Sequence, residues 1–239
     1  MRMLENMNEN SGANRIWELD FFRGIAIILM IYFHLIYDMK EFFGYDANYE
    51  GNFTYYIGKL SAVLFIIISG ISTSLSRSSL KRGLKVLGAG LIITIASYLF
   101  NKDYFVVFGI LHFLGLSMML SVMVKKLDNF TLLAAGVIII VLGYALPLDH
   151  FSNDYLMIFG FKSQTFSSSD YYPLFPYFGI FLLGMVLGRL LYANRRSLFK
   201  PLPGHHMLCI AGRHSLLVYL IHQPVILLIL YLISQVRRI

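Results

Sequence analysis

Seven apolar runs set the class of this chain before any motif is read. They cover residues 20–39, 56–76, 83–100, 104–124, 131–148, 173–193 and 213–235. Each comes close to the roughly 20 residues a helix needs to cross about 30 Å of hydrocarbon. Inside lipid a backbone must satisfy its own hydrogen bonds, so successive runs of this length read as helices. With 57% of residues hydrophobic and 14% charged, a chain of this size cannot hide so much apolar surface in one soluble core. The expected fold is therefore all-α: a polytopic transmembrane helical bundle of about seven spans. A polar segment, residues 1–14, precedes a single domain over residues 15–239.

Orientation follows from the basic residues. Arg77, Lys81, Arg82 and Lys85 follow the second run, Lys125 and Lys126 the fourth, and Arg189, Arg195, Arg196 and Lys200 the sixth. The alternate links carry little beyond Lys40, Lys102 and Lys162. By the positive-inside rule the N-terminus is cytoplasmic and the C-terminus outside, although Arg237 and Arg238 run against the last step. The net charge of +7 is thus a topology signal, and membrane lipids rather than nucleic acid are the expected partners. Cys209 is the only cysteine, which leaves no intrachain disulfide and no CxxC chemistry. The first 14 residues lack an apolar stretch closed by a small-residue cleavage site, so the first span is expected to serve as its own insertion signal. A bacterial inner (cytoplasmic) membrane is the expected location. The longest link, 149–172, contains SQTFSSSDYY and falls outside; it reads either as an acceptor-binding lid or as a solvated connection.

The first span is not purely apolar. LDFFRGIAIILMIYFHLIYD, residues 19–38, carries Asp20, Arg23, His34 and Asp38. At 100° per residue these four share one sector, about 80° wide, with Ile27 and Met30. Polar groups in a membrane are costly and face a bundle interior or a wet cavity, so the stripe is expected to line a site closed by other helices. Asp20 and Arg23 stand three residues apart, and an inert ion pair and a ligand site are equally open readings. His34 and Asp38 are one turn apart, a spacing at which a carboxylate can hold one ring nitrogen and leave the other to accept a proton. Interhelical glue is the alternative.

Two more spans carry histidine. In FGILHFLGLS, His112 sits between Gly109 and Gly115, small residues that let a helix or ligand approach. In GRHSLLVYLIHQP, Ser215, Tyr219 and His222 fall on one face, with Pro224 just beyond. Both histidines can also be satisfied by interhelical hydrogen bonds. His205 and His206 lie by a cytoplasmic link with no specific role. No spacing of the HExxH kind occurs, and no metal is expected.

RIWELDFFRGIAIILMIYFH resembles the opening signature of membrane acyltransferases that use cytoplasmic acyl-CoA: an early arginine, D-x-x-R-G-x-A, and a histidine 11 residues after the second arginine. FIIISGISTSLS and GILHFLGLS are similar to segments of the heparan-alpha-glucosaminide N-acetyltransferase family and its small bacterial relatives, and GRHSLLVYLIHQP resembles the last motif of the acyltransferase-3 family. The likeness runs in order over residues 15–238. In the heparan-alpha-glucosaminide family the active histidine follows the Arg-Gly pair at a longer interval, which here falls near Tyr45, so the catalytic role passes to His34 through the acyltransferase-3 pattern.

The resemblance implies an enzyme moving an acyl group, acetyl above all, from acetyl-CoA or another acyl-CoA to a hydroxyl or amine of a glycan-type acceptor on the outer side. His34, Asp38 and His112 are then the catalytic candidates. Arg15, Asp20, Arg23, Arg82 and Lys85 are candidates for the donor site, and Ser69, Ser215, Tyr219 and His222 for the rest of the pocket. His112 or Ser69 would supply an oxyanion donor, and an acyl-histidine relay through His34 is a variant of the same chemistry. The competing class is a proton-coupled transporter or flippase using the same His and Asp groups. A homo-oligomer is compatible with all of these.

Overall fold

The computed structural model describes residues 15–50, 53–200 and 206–236. The polar segment 1–14, His205, Arg237 and Arg238 lie outside the described residues. Among the described residues are eight α-helices and no sheet: α1 (Trp17–Glu41), α2 (Phe53–Leu75), α3 (Ser79–Phe100), α4 (Ile110–Val124), α5 (Asn129–Ala145), α6 (Leu174–Leu191), α7 (His206–Arg213) and α8 (Ser215–Val236). Five of them, α1, α2, α3, α6 and α8, are long and apolar enough to cross a membrane. Helices α4 and α5 are apolar but shorter, 15 and 17 residues, or about 22 and 26 Å. The chain is an all-α, multi-pass integral membrane protein.

All seven expected runs contain a helix, with two differences. Helix α4 starts at Ile110 rather than at 104, because residues 105–109 are used as extended backbone. Phe108 bridges to Tyr171, Tyr172 N donates to the Phe108 carbonyl at 3.1 Å, and the Asp170 carboxylate accepts from Ile110 N at 2.9 Å, capping the helix there. Much of the link 149–172 is therefore folded chain: Lys162 N reaches the Leu148 carbonyl, and the Tyr171 hydroxyl donates to the Met157 carbonyl at 2.6 Å. Burial, followed by the nearby Asp154 charge, pushes the Tyr171 phenol upward. The second difference is α7, an eight-residue helix in what reads from sequence as a link.

The helices fall into two compact units, one formed by the chain up to Phe65 and from Leu191 onward, the other by Ile66–Leu190. In the first, α1 packs against both α7 and α8. Gly24 faces the Leu208 backbone and Gly212 the Asp20 carbonyl so closely that a Cβ on either would collide with backbone; glycine is what lets α7 lie against α1. The segment before α7 is tied to the first turn of α1. Trp17 Nε1 donates to the Phe199 carbonyl at 3.0 Å, and Leu198 N donates to the buried Glu18 carboxylate at 2.6 Å. Burial and then the Glu18 charge push the Tyr192 phenol up to about 12. The Ser61 hydroxyl of α2 donates to the Ala26 carbonyl of α1 at 2.8 Å.

In the second unit α3 packs along α4, again through small residues: a Cβ on Gly83 would meet the Gly115 carbonyl at 2.8 Å. Phe113, Leu132, Phe181 and Met185 are fully buried and form its core. Asp128 caps α5 by accepting from Phe130 N and Thr131 N. The Thr131 hydroxyl and amide together hold its carboxyl below the usual range. Arg189 binds the carbonyls of Lys125 and Leu127 at 2.8 and 2.7 Å, and Lys125 Nζ donates to the Ser76 carbonyl.

Candidate active site

The polar stripe on α1 is on the packed face of the helix. Asp20, Ile27, Met30 and Asp38 are at most 6% exposed. The face that periodicity singles out is thus the one covered by α7 and α8 in the first unit.

At the N-terminal end of the stripe three guanidiniums meet one carboxylate. Asp20 is paired with Arg15, with Arg23 at 2.9 Å and with Arg213, the last residue of α7, at 3.5 Å. Asp20 is buried while the Arg15 and Arg213 side chains are about half exposed, 49% and 47%. One carboxylate cannot neutralise three cations, so the cluster keeps positive charge at an accessible surface, oriented by a fixed anion beneath it. Planar guanidiniums arranged this way suit phosphate oxygens. Sequence reading found Arg15, Asp20 and Arg23 but missed Arg213, which reaches them only because α7 folds back on α1. Its one sequence signal was a basic residue at the head of the last apolar run.

About 16 Å further along α1 the stripe ends in His34 and Asp38. They do not pair as their spacing suggests: the Asp38 carboxylate accepts from Gln223 Nε2 on α8 at 2.7 Å, and among the described residues no hydrogen bond joins it to His34. The His34 ring instead meets His222, centroid to centroid at 4.8 Å. His222 Nδ1 lies 2.6 Å from the Tyr219 carbonyl. Around this group four buried polar atoms have no partner: His34 Nδ1, Asp38 Oδ2, His222 Nε2 and Gln223 Oε1. Only Glu18 Oε2 and Ser117 Oγ share that condition among the described residues. Buried polar groups are normally satisfied, so four orphans on one helix seam mark a place built to receive something. Phe33, Tyr37 and Tyr49 flank it. Tyr37 stacks obliquely on Tyr49 at 4.9 Å, and the Tyr49 hydroxyl donates to Glu41 at 2.7 Å. Burial, then that carboxylate, pushes the Tyr49 phenol upward. Gln223 was missed from sequence, though an amide inside an apolar span is itself a signal.

His112 has different employment. Gly109 N donates to its Nδ1 at 3.2 Å, which leaves the hydrogen of the neutral ring on Nε2, 3.0 Å from Thr94 Oγ1. Thr94 in turn donates to the Val106 carbonyl at 2.9 Å. Both ring nitrogens are taken, and the approach that Gly109 and Gly115 were expected to permit is occupied on the Gly115 side by α3, at Leu87. Ser69 is buried in the second unit; Arg82 and Lys85 are exposed near the start of α3 in the same unit. Ser215 opens α8, seven residues before His222 and so about 10 Å from it along the axis. Among the described residues no group of three or more His, Cys, Asp or Glu side chains could hold a metal ion.

The catalytic-domain family of heparan-alpha-glucosaminide N-acetyltransferase matches residues 15–224. The chain belongs to this acyltransferase family. The match opens at Arg15 of the cationic cluster and closes at Pro224, just past His222 and Gln223, so both ends of the α1 stripe and their α8 partners lie within it. No curated protein and no solved structure matches the chain. The protein is thus a membrane-embedded acyltransferase, and its family implies a donor of the acyl-CoA type.

Proposed function

We propose that this acyltransferase takes an acetyl group from cytoplasmic acetyl-CoA, or another acyl from its CoA ester, and delivers it to a hydroxyl or amine of a glycan-type acceptor at the outer side of the membrane. Residues 15–239 serve as one catalytic domain crossing a bacterial inner membrane through α1–α6 and α8, N-terminus inside, as the Lys/Arg distribution argues. The observation that carries the reading is the concentration of unpartnered buried polar atoms around His34, at the far end of the helix whose near end holds the arginine cluster.

The arginines bind the donor's phosphates, and the pantetheine arm follows α1 toward His34. His34 takes a proton from the acceptor O–H or N–H as that atom attacks the thioester carbonyl. The new C–O or C–N bond forms, the C–S bond breaks, and the proton passes from His34 to the departing thiolate. Tyr37 and Tyr49 offer aromatic faces with polar tips to a sugar ring.

The test is His34→Ala in detergent-purified protein with acetyl-CoA and an amino sugar. The variant is expected to keep the rise in melting temperature given by acetyl-CoA over free acetate, while single-turnover transfer slows by at least about a hundredfold. Full single-turnover activity in folded His34→Ala would exclude His34 as the base.

A further inference from the structure

We infer that the first half of the link 149–172, residues 151–161, lies in the surface of the bilayer, with Phe151, Tyr155, Leu156 and Phe159 set among the lipids. Read from sequence, the link is a lid or a solvated connection, and neither accounts for its apolar half. These four side chains are exposed, Tyr155 at 89%. The one charged residue of the segment, Asp154, is turned inward, its carboxylate accepting from Ser163 N at 2.7 Å. The second half of the same link exposes Gln164, Thr165, Ser167 and Ser169 instead. One connection thus shows two surfaces of opposite chemistry. Exposed apolar groups gathered in one place mark a contact surface.

Position names the contact. The segment is closed on itself by Phe151 N donating to the Lys162 carbonyl at 3.1 Å and Lys162 N to the Leu148 carbonyl at 2.8 Å. The Phe161 ring meets those of Phe151, at 4.7 Å, and Phe175, at 6.5 Å. Phe175 belongs to the start of α6, a helix long and apolar enough to cross the membrane. The apolar half therefore sits where a span enters lipid, at the depth where tyrosine rings collect. Its backbone suits that place: the N–H groups of Met157, Phe159 and Gly160 donate to the carbonyls of Asp154, Leu156 and Met157 within one tight turn, which lowers the cost of leaving water. Lys162 stands between the halves and reaches toward the polar one, its ammonium over the Phe166 and Tyr171 rings at 5.9 and 5.5 Å. Residues 151–161 contain no Lys or Arg, so the attraction is that of apolar side chains for the acyl boundary and not of cations for anionic headgroups.

The test uses the full chain in phosphatidylcholine vesicles, in a Cys209→Ser background, with a nitroxide label on one new cysteine at a time: Tyr155→Cys, Leu156→Cys and, in the polar half, Ser167→Cys. Collision of each label with oxygen, which concentrates in lipid, is compared with collision with a water-soluble nickel chelate. Labels at 155 and 156 are expected to favour oxygen and to report a depth of about 5–10 Å into the headgroup and acyl boundary, while the label at 167 favours the chelate. Replacing part of the lipid by phosphatidylglycerol should leave that depth unchanged. Labels at 155 and 156 that favour the chelate as 167 does would make the link a solvated connection and overturn the inference. Shielding of both positions from both reagents also overturns it, since a second copy or another part of the protein then covers the patch. So does insertion that occurs only with phosphatidylglycerol present. Should one labelled variant not fold, the other carries the reading.

Discussion

Gln223 on α8 holds the Asp38 carboxylate at 2.7 Å, across 185 residues of sequence, in preference to His34 one turn away on the same helix. Removing that single donor leaves a fully buried carboxyl group with no partner. Gln223→Leu is therefore expected to cost about 1–3 kcal/mol of stability, read as a lower midpoint in thermal unfolding, and Asp38→Asn less, since its amide oxygen can still accept. The double variant Asp38→Leu, Gln223→Leu should lose less than the sum of its parts; strict additivity would mean the two side chains do not interact.

The arginine cluster predicts an ordering of donor affinities. Arg23→Gln and Arg213→Gln should each weaken acetyl-CoA binding, by about tenfold for a lost charge-assisted phosphate contact. Asp20→Asn should weaken it less, because the carboxylate orients the cations rather than touching the ligand. Equal effects for Asp20 and Arg23, or no effect of either in folded protein, would return the cluster to an inert ion pair.

His112 should behave as a structural residue. With both ring nitrogens engaged by Gly109 and Thr94, His112→Ala is expected to lower stability by about 1–3 kcal/mol while the folded fraction binds donor and turns over near the wild-type rate. A hundredfold slower single turnover at unchanged melting temperature would put His112 in the chemistry instead.

Sidedness can be read by thiol labelling in a Cys209→Ser background. Ser167 and Ser78 are both exposed, which makes them better reporters than their neighbours Ser168, bonded to Val107 N and the Asp170 carbonyl, and Ser79, which is buried. Cysteine at 167 should react with an impermeant reagent in intact cells and cysteine at 78 should not. The reverse pattern would invert the topology and remove the cytoplasmic donor with it.

What could be read in advance was whatever repeats along one helix. Apolar length located a helix in each of seven runs, five of them long enough to cross a membrane, and the 100° periodicity put Asp20, Ile27, Met30 and Asp38 on one buried face before any packing was known. What escaped depends on chain returning from far away. Arg213 reaches Asp20 through α7, and Gln223 reaches Asp38 from α8; no local pattern encodes either meeting. The i, i+4 spacing of His34 and Asp38 allowed a pair, but a better-placed amide on another helix took the carboxylate. Apolarity also overran the start of α4, since Phe105–Phe108 are as apolar as a span yet are spent on pairing with residues 168–172.

That pairing ties the segments 105–110 and 168–172 to one another. Val107 depends on the Ser168 hydroxyl, the Phe108 carbonyl on Tyr172, and the first turn of α4 on Asp170. The first segment contributes main-chain atoms alone, whereas the second contributes the Ser168 hydroxyl and the Asp170 carboxylate, so a graft that replaces either side chain leaves Val107 N or the first turn of α4 without its acceptor. Loop grafts or libraries in 149–172 intended to alter acceptor choice should keep Ser168 and Asp170, on which the neighbouring segment and the start of α4 depend.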